Sequence, residues 1–172
     1  MCAGGRELAG TELRATRRRE IGATIRAMRA INEYFADYAS YHRTAGNKWF
    51  HRAGIPLIVL TLIGMLARVP LFHAAGYRFD AALLLIVIAE LFYIRLEWRL
   101  ALAMLVVSVG FYYIGLLMPF WLNVALFVLG WIFQFVGHSV YEKRQPAFLT
   151  NVTHLLVGPL WILNDLIPVV KA

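Results

Sequence analysis

From Ile55 onward the chain is a succession of apolar runs divided by short charged or proline-marked breaks, and this pattern limits what it can fold into. The runs begin near Ile55–Val69 and continue over Ala81–Ile94, Leu100–Met118 and Phe120–Gly137, with a last stretch over Val152–Val170. A hydrocarbon core of about 30 Å takes roughly 20 helical residues to cross. The third and fourth runs meet that length, whereas the first two need residues from their flanks or a locally thinner bilayer. The last stretch carries Pro159 and the polar pair Asn164 and Asp165. We therefore expect an all-α integral membrane protein, a bundle of about four transmembrane helices with a re-entrant or interfacial helix at the C-terminal end. Composition agrees: 60% of the 172 residues are hydrophobic and mean hydropathy is +0.64, more apolar surface than one small soluble core can hide.

The charge is concentrated at the start. Arg6, Arg14, Arg17, Arg18, Arg19, Arg26 and Arg29 all precede the first apolar run and supply much of the net charge of +7. Basic residues beside a span hold that end on the cytoplasmic side and touch anionic lipid headgroups, which we prefer to nucleic-acid binding. No apolar segment follows these arginines closely enough for a signal peptide, and Glu7, Glu12 and Glu20 are out of place in a transit peptide. The expected division is a basic arm or surface helix over residues 1–33 and one membrane-embedded helical domain over 34–172. Aromatic residues from Tyr34 to Phe50 suit the headgroup layer and mark the approach to the bilayer. With the N-terminus inside, Arg95–Arg99 and Glu142–Arg144 fall inside too, and Arg68 and Arg78 are the exceptions outside.

On that layout four of the five histidines reach one membrane face: His42 and His51 before the first span, His138 at the end of the fourth, and His154 at the start of the last stretch. Neutral imidazoles at one level can cage iron, zinc, copper or nickel. His73 lies on the other side. Cys2 is the single cysteine, so neither an intrachain disulfide nor a cysteine-based zinc site is available. Gln134, His138 and Glu142 follow an i, i+4, i+8 spacing that shares one face of a continuing α-helix. Gln134 would then orient His138, and Glu142 would either ligate the metal, bond a ligating imidazole, or pair with Lys143 or Arg144. Tyr38 and Asn47 are the corresponding neighbours of His42 and His51. Glu90, inside the second span, is costly there unless it faces protein or pairs with Arg95 or Arg99. No GxSxG, HExxH, phosphate-loop or dinucleotide motif occurs.

Two segments carry a longer pattern: YHRTAGNKWFHRAGIP from Tyr41 to Pro56, and QFVGHSVYEKRQPAFL from Gln134 to Leu149 with LLVGP from Leu155 to Pro159. Together with Phe92–Leu96 they resemble the membrane 2-hydroxy fatty acid dioxygenases, whose fungal member converts the phytosphingosine chain to odd-numbered fatty acids. The likeness runs from about Tyr34 to Leu163. It implies an Fe(2+)-dependent oxidoreductase that uses O2 to shorten a 2-hydroxy fatty acid by one carbon. His42, His51 and His138 match the family's histidines and would be catalytic, with His154 as a further metal ligand. A 2-hydroxy acid can chelate iron through its hydroxyl and carboxylate, and Lys48, Arg52, Lys143 and Arg144 are placed to attract that carboxylate. Another metal-dependent lipid hydroxylase or hydrolase, or a non-enzymatic membrane scaffold with structural histidines, uses the same residues differently. The expected setting is a bacterial inner membrane, or the endoplasmic reticulum of a eukaryote, with the histidines facing the cytoplasm.

Overall fold

The computed structural model describes residues 30–149 and 151–170. The basic arm up to Arg29, with most of its expected surface helix, lies outside the described residues. Residues 30–40 form helix α1, followed by α2 (Ala45–Leu66), a hairpin of β1 (Pro70–Ala74) and β2 (Tyr77–Asp80), α3 (Ala81–Leu96), α4 (Trp98–Leu117), α5 (Phe120–Val136) and α6 (His154–Leu166). A π-helical turn, Gly137–Glu142, extends α5, and a single 3-10 turn, Ala147–Leu149, precedes α6.

The central helix is α2, packed along α5 and α4 and touching α3 and α6. It starts earlier than its apolar run suggests, because Thr44 caps it by accepting from the Asn47 N–H. The aromatic residues Trp49 and Phe50 and the histidine His51 are therefore helical rather than part of a looser interfacial segment. Where α2 crosses α4, Gly64 and Gly115 lie back to back: a Cβ on Gly64 would come within 2.7 Å of the Gly115 Cα. Helices without a water-driven force between them gain from such backbone approach.

Among the described residues, three helices are long and apolar enough to cross a membrane: Ala45–Leu66, Trp98–Leu117 and Phe120–Glu142. Their outer faces bear large exposed apolar side chains, Leu102, Val106, Leu117, Trp121 and Val128 among them. Helix α3 has 16 residues, about 24 Å at 1.5 Å per residue. Helix α6 has 13, about 20 Å, well short of the core thickness. It stops because the Asn164 side chain accepts from the backbone N–H groups of Val169 and Val170 and donates to the Val170 carbonyl, folding the end back. Asp165 meets Arg52 on α2.

The segment from Arg68 to Asp80 is more ordered than a plain loop. Ala75 and Gly76, both at positive φ (50° and 78°), turn the chain in two residues, and Phe72 stacks on Phe79 across the strands. Asp80 ends the hairpin buried, caps α3 at Leu83 and accepts from the Tyr112 hydroxyl at 2.6 Å. Arg68 donates to the carbonyls of Gly64, Gly115, Leu116 and Met118, and Arg78 to that of Ala67. These arginines satisfy the free C-terminal carbonyls of α2 and α4.

At the opposite end, a core of Ile31, Phe35 and Tyr38 from α1 joins Tyr93, Leu96, Leu100 and Met104 from α3 and α4 and Val157, Leu160 and Leu163 from α6. The Tyr93 hydroxyl donates to the Leu156 carbonyl at 2.9 Å. Helices α1 and α6 thus close over one end of the longer helices.

Replacing Gly115 by valine forces α4 away from α2 and is expected to destabilise the fold by about 1–3 kcal/mol, in line with other overpacked contacts. Thermal unfolding in detergent reads this as a lowered midpoint, and an unchanged midpoint would show that the crossing is loose.

Candidate metal centre

Three chain segments supply the centre, and each is fixed locally. The chain breaks between α1 and α2, and His42 sits in the break, stacked on Tyr38 with ring centroids 4.0 Å apart. Its Nδ1–H donates to the Tyr38 carbonyl at 2.6 Å. In the second turn of α2, the His51 Nδ1–H donates to the Asn47 carbonyl at 3.0 Å. Both rings therefore carry their proton on Nδ1 and leave Nε2 as a lone-pair donor. His138 comes from the π-helical turn beyond α5.

The three rings meet at centroid separations of 4.3 Å (His42–His51), 5.0 Å (His42–His138) and 4.7 Å (His51–His138). One nitrogen from each lies within 4.8 Å of the others, and all three residues are buried. His42 Nε2 and His138 Nδ1 are buried with no hydrogen-bond partner among the described residues. Convergent imidazole nitrogens, with the opposite N–H of His42 and of His51 held by a backbone carbonyl, suit a metal site. The donor set fits a divalent transition-metal ion. Burial pushes the His42 pKa down to about 4, partly opposed by the bond to Tyr38 and reinforced by nearby His138. The ring is therefore in its neutral, ligating form at physiological pH.

The expected neighbours are present, though they act by other atoms. Tyr38 and Asn47 hold their histidines through backbone carbonyls, and the Asn47 side chain turns to the Tyr41 carbonyl at 3.4 Å. Gln134 is buried in the wall of the cavity beside the histidines. Glu142 is not part of the three-nitrogen group. Its Oε1 instead accepts from the backbone N–H groups of Arg43 and Thr44, the latter at 2.8 Å. It thereby ties the start of α2 to the end of α5. Lys48 and Arg144 are not among the cavity walls, Arg144 is exposed, and Arg52 is engaged by Asp165. His73 sits in the exposed hairpin at the far end.

His154, at the start of α6, lines the same cavity of about 60 Å³. It stands outside the three-nitrogen group and bonds Asp37 of α1 at 2.8 Å. Asp37 escaped the sequence reading because no motif links it to a residue 117 positions away. Trp131 and Phe148, also in the cavity wall, look in sequence like any other apolar residue.

A small helical chain with membrane-length helices and a buried three-histidine group that could hold a metal ion defines a class, and comparison with known proteins narrows it. The family described as 2-hydroxy-palmitic acid dioxygenase Mpo1-like matches residues 28–168, so the chain belongs to that family. It is similar to the 2-hydroxy-palmitic acid dioxygenase MPO1 of Saccharomyces cerevisiae, with 30% identity over 129 residues, covering 74% of each chain. No solved structure matches.

The buried imidazole sets a pH dependence. The unfolded His42 titrates near 6.5 and the folded one near 4, so between those values the unfolded chain binds more protons. Stability contributed by neutral His42 is complete above about pH 6.5 and is lost as pH falls toward 4, at up to about 1.4 kcal/mol per pH unit. Chemical denaturation of the metal-free protein from pH 8 to 4 is expected to show this decline, and His42→Phe is expected to flatten it. An identical slope in the variant would remove His42 as its source.

Proposed function

We propose that the protein is an Fe(2+)-dependent dioxygenase that shortens 2-hydroxy fatty acids by one carbon with O2. The observation that carries this reading is the set of three buried imidazoles with convergent nitrogens, those of His42 and His138 unpaired among the described residues, in a chain of the Mpo1-like family. His42, His51 and His138 hold the iron, which when bound supplies a reduced metal able to engage O2 and a chelating 2-hydroxy acid. The polypeptide does the rest. The carbonyls of Tyr38 and Asn47 fix the imidazole tautomers, and Glu142 fixes the junction between α2 and α5. Gln134, Trp131 and Phe148 close the cavity and limit its water.

The alkyl chain has an apolar route out of the centre. A cavity of about 480 Å³ between α2, α3, α4 and α6 shares Val59, Leu155 and Pro159 with the histidine cavity. Its walls are apolar except for a few groups such as Ser108 and Tyr93. We place the four longer helices α2 to α5 across the membrane, with α3 reaching both sides by local thinning, and α6 at the interface. The histidine end and the N-terminus then face the cytoplasm, where the basic arm meets anionic lipid. Residues 34–172 form one membrane domain.

The direct test loads purified protein with Fe(2+) without oxygen, then adds O2 and 2-hydroxypalmitate. The acid one carbon shorter is expected to appear and to be suppressed by a chelator. Alanine at His42, His51 or His138 is expected to lower bound iron and to cut turnover by roughly 100-fold or more, as loss of metal binding does. Product formed with zinc alone, or without O2 uptake, would defeat the dioxygenase reading in favour of a hydrolase. Metal-free protein with unaffected alanine variants would leave the histidines structural.

The route for the chain makes a second prediction. Phenylalanine at Ala89, in the wall of the 480 Å³ cavity, is expected to slow turnover of the longest 2-hydroxy acids at least severalfold while sparing short ones, a steric discrimination of about 1–3 kcal/mol. Competition among 2-hydroxy acids of different length measures it, and uniform slowing would place the chain elsewhere.

A further inference from the structure

His154 differs from the three clustered histidines in what holds it. Those in α2 and in the break before it donate to backbone carbonyls, whereas the Nε2–H of His154 faces a carboxylate, Asp37 Oδ2, at 2.8 Å. The ring is almost wholly buried, with its side chain 4% exposed, while Asp37 is half exposed. An ionised carboxylate only accepts, so this contact keeps a proton on Nε2 and makes Nδ1 the acceptor of the neutral ring. That Nδ1 is buried and has no partner among the described residues. The ring is part of the cavity wall, beside the three imidazoles and outside their group. A buried acceptor left unpaired is costly, and its natural complement is a hydrogen-bond donor entering the cavity.

We propose that His154 recognises the 2-hydroxyl of the substrate, with Nδ1 accepting its O–H, and that Asp37 is the positioning residue that sets the required tautomer. This rests on the reading of the site as one for 2-hydroxy acids. At neutral pH the carboxyl of such an acid is ionised and offers no donor. The 2-hydroxyl is then the single O–H on the molecule, and an ordinary fatty acid has none. The pair therefore distinguishes hydroxylated from unmodified acyl chains. It leaves the hydroxyl oxygen's lone pairs free for the metal. An acceptor nitrogen gives a carboxylate nothing to bind.

The test uses the full-length protein loaded with Fe(2+) under anaerobic conditions, where binding is read without turnover. Iron retained after desalting is measured together with the affinities for 2-hydroxypalmitate and palmitate, in the wild type and in Asp37→Ala, His154→Ala and His154→Gln. Both alanine variants are expected to retain iron as the wild type does and to bind palmitate unchanged. Their preference for the hydroxy acid is expected to fall roughly tenfold, the effect of one lost hydrogen bond to a buried partner. His154→Gln, whose amide oxygen can accept, is expected to recover part of that preference and also guards against a folding defect in the alanine variant. Loss of iron in His154→Ala would make His154 a metal ligand and overturn the proposal. Equal weakening for both acids would assign the pair to the carboxylate, and an unchanged preference would leave it without a role in recognition. Failure of the dioxygenase reading shows separately, as wild-type protein that binds the hydroxy acid yet forms no shortened product when O2 is admitted.

Discussion

The start of α2 and the end of α5 are held together by one carboxylate. Glu142 accepts from the backbone N–H groups of Arg43 and Thr44, filling the place of an acidic group at the N-terminus of a helix that has no acidic residue in its own first turn. The bond reaches across 98 residues of sequence. It brings His42, just before α2, and His51, one turn and a half into it, up to His138 beyond α5. The tie adds to the packing of Phe50 against Phe133 and Tyr141, which also joins these two helix ends. The inward nitrogens of His42 and His138 give little back for holding the rings together, because they have no partner among the described residues. A cluster of this kind is maintained by its surroundings, and a bound ion adds to the fold whatever free energy its binding supplies.

One short segment, the π-helical turn over Gly137–Glu142, serves both needs: His138 enters the cluster and Glu142 reaches the backbone at the start of α2. Gly137 makes room for it: a Cβ there would press on the Asn47 side chain. Local departures of this type are frequent where a helix carries function.

Much of this was legible in the sequence, and the rest was hidden for definable reasons. Apolar run lengths located α3, α4 and α5 within a few residues, and from them followed the common level of His42, His51 and His138. The early start of α2 was obscured because Asn47, Lys48, His51 and Arg52 interrupt the apolar pattern, and only the Thr44 cap reveals the helix. The hairpin after α2 has no Asn-Gly turn to announce it, since Ala75 takes a positive φ that its side chain disfavours. Arg68 and Arg78 read as exceptions to a charge rule, yet they are hydrogen-bonded to helix-end carbonyls. The role of Glu142 depended on a hydrogen bond to backbone 98 residues away, which no local pattern signals, and the Asp37–His154 contact joins α1 to α6, an association set by packing rather than by pattern.

The charge arithmetic of the site favours the substrate class proposed for it. The cluster consists of neutral histidines, and no carboxylate joins it among the described residues: Glu142 is taken up at the backbone and Asp37 faces His154. A divalent ion held this way keeps its full positive charge in a pocket lined largely by apolar and aromatic side chains. Such a charge is expensive to bury unless an anion enters with it. A carboxylate-bearing ligand supplies that anion, and its apolar tail finds the cavity beyond Val59 and Pro159. Lodging the ion near the helix ends also keeps the charge away from the bilayer centre, where it is costliest. Three neutral ligands would therefore make the proposed site selective, because a full positive charge in an apolar pocket holds best what is negative at one end and oily at the other.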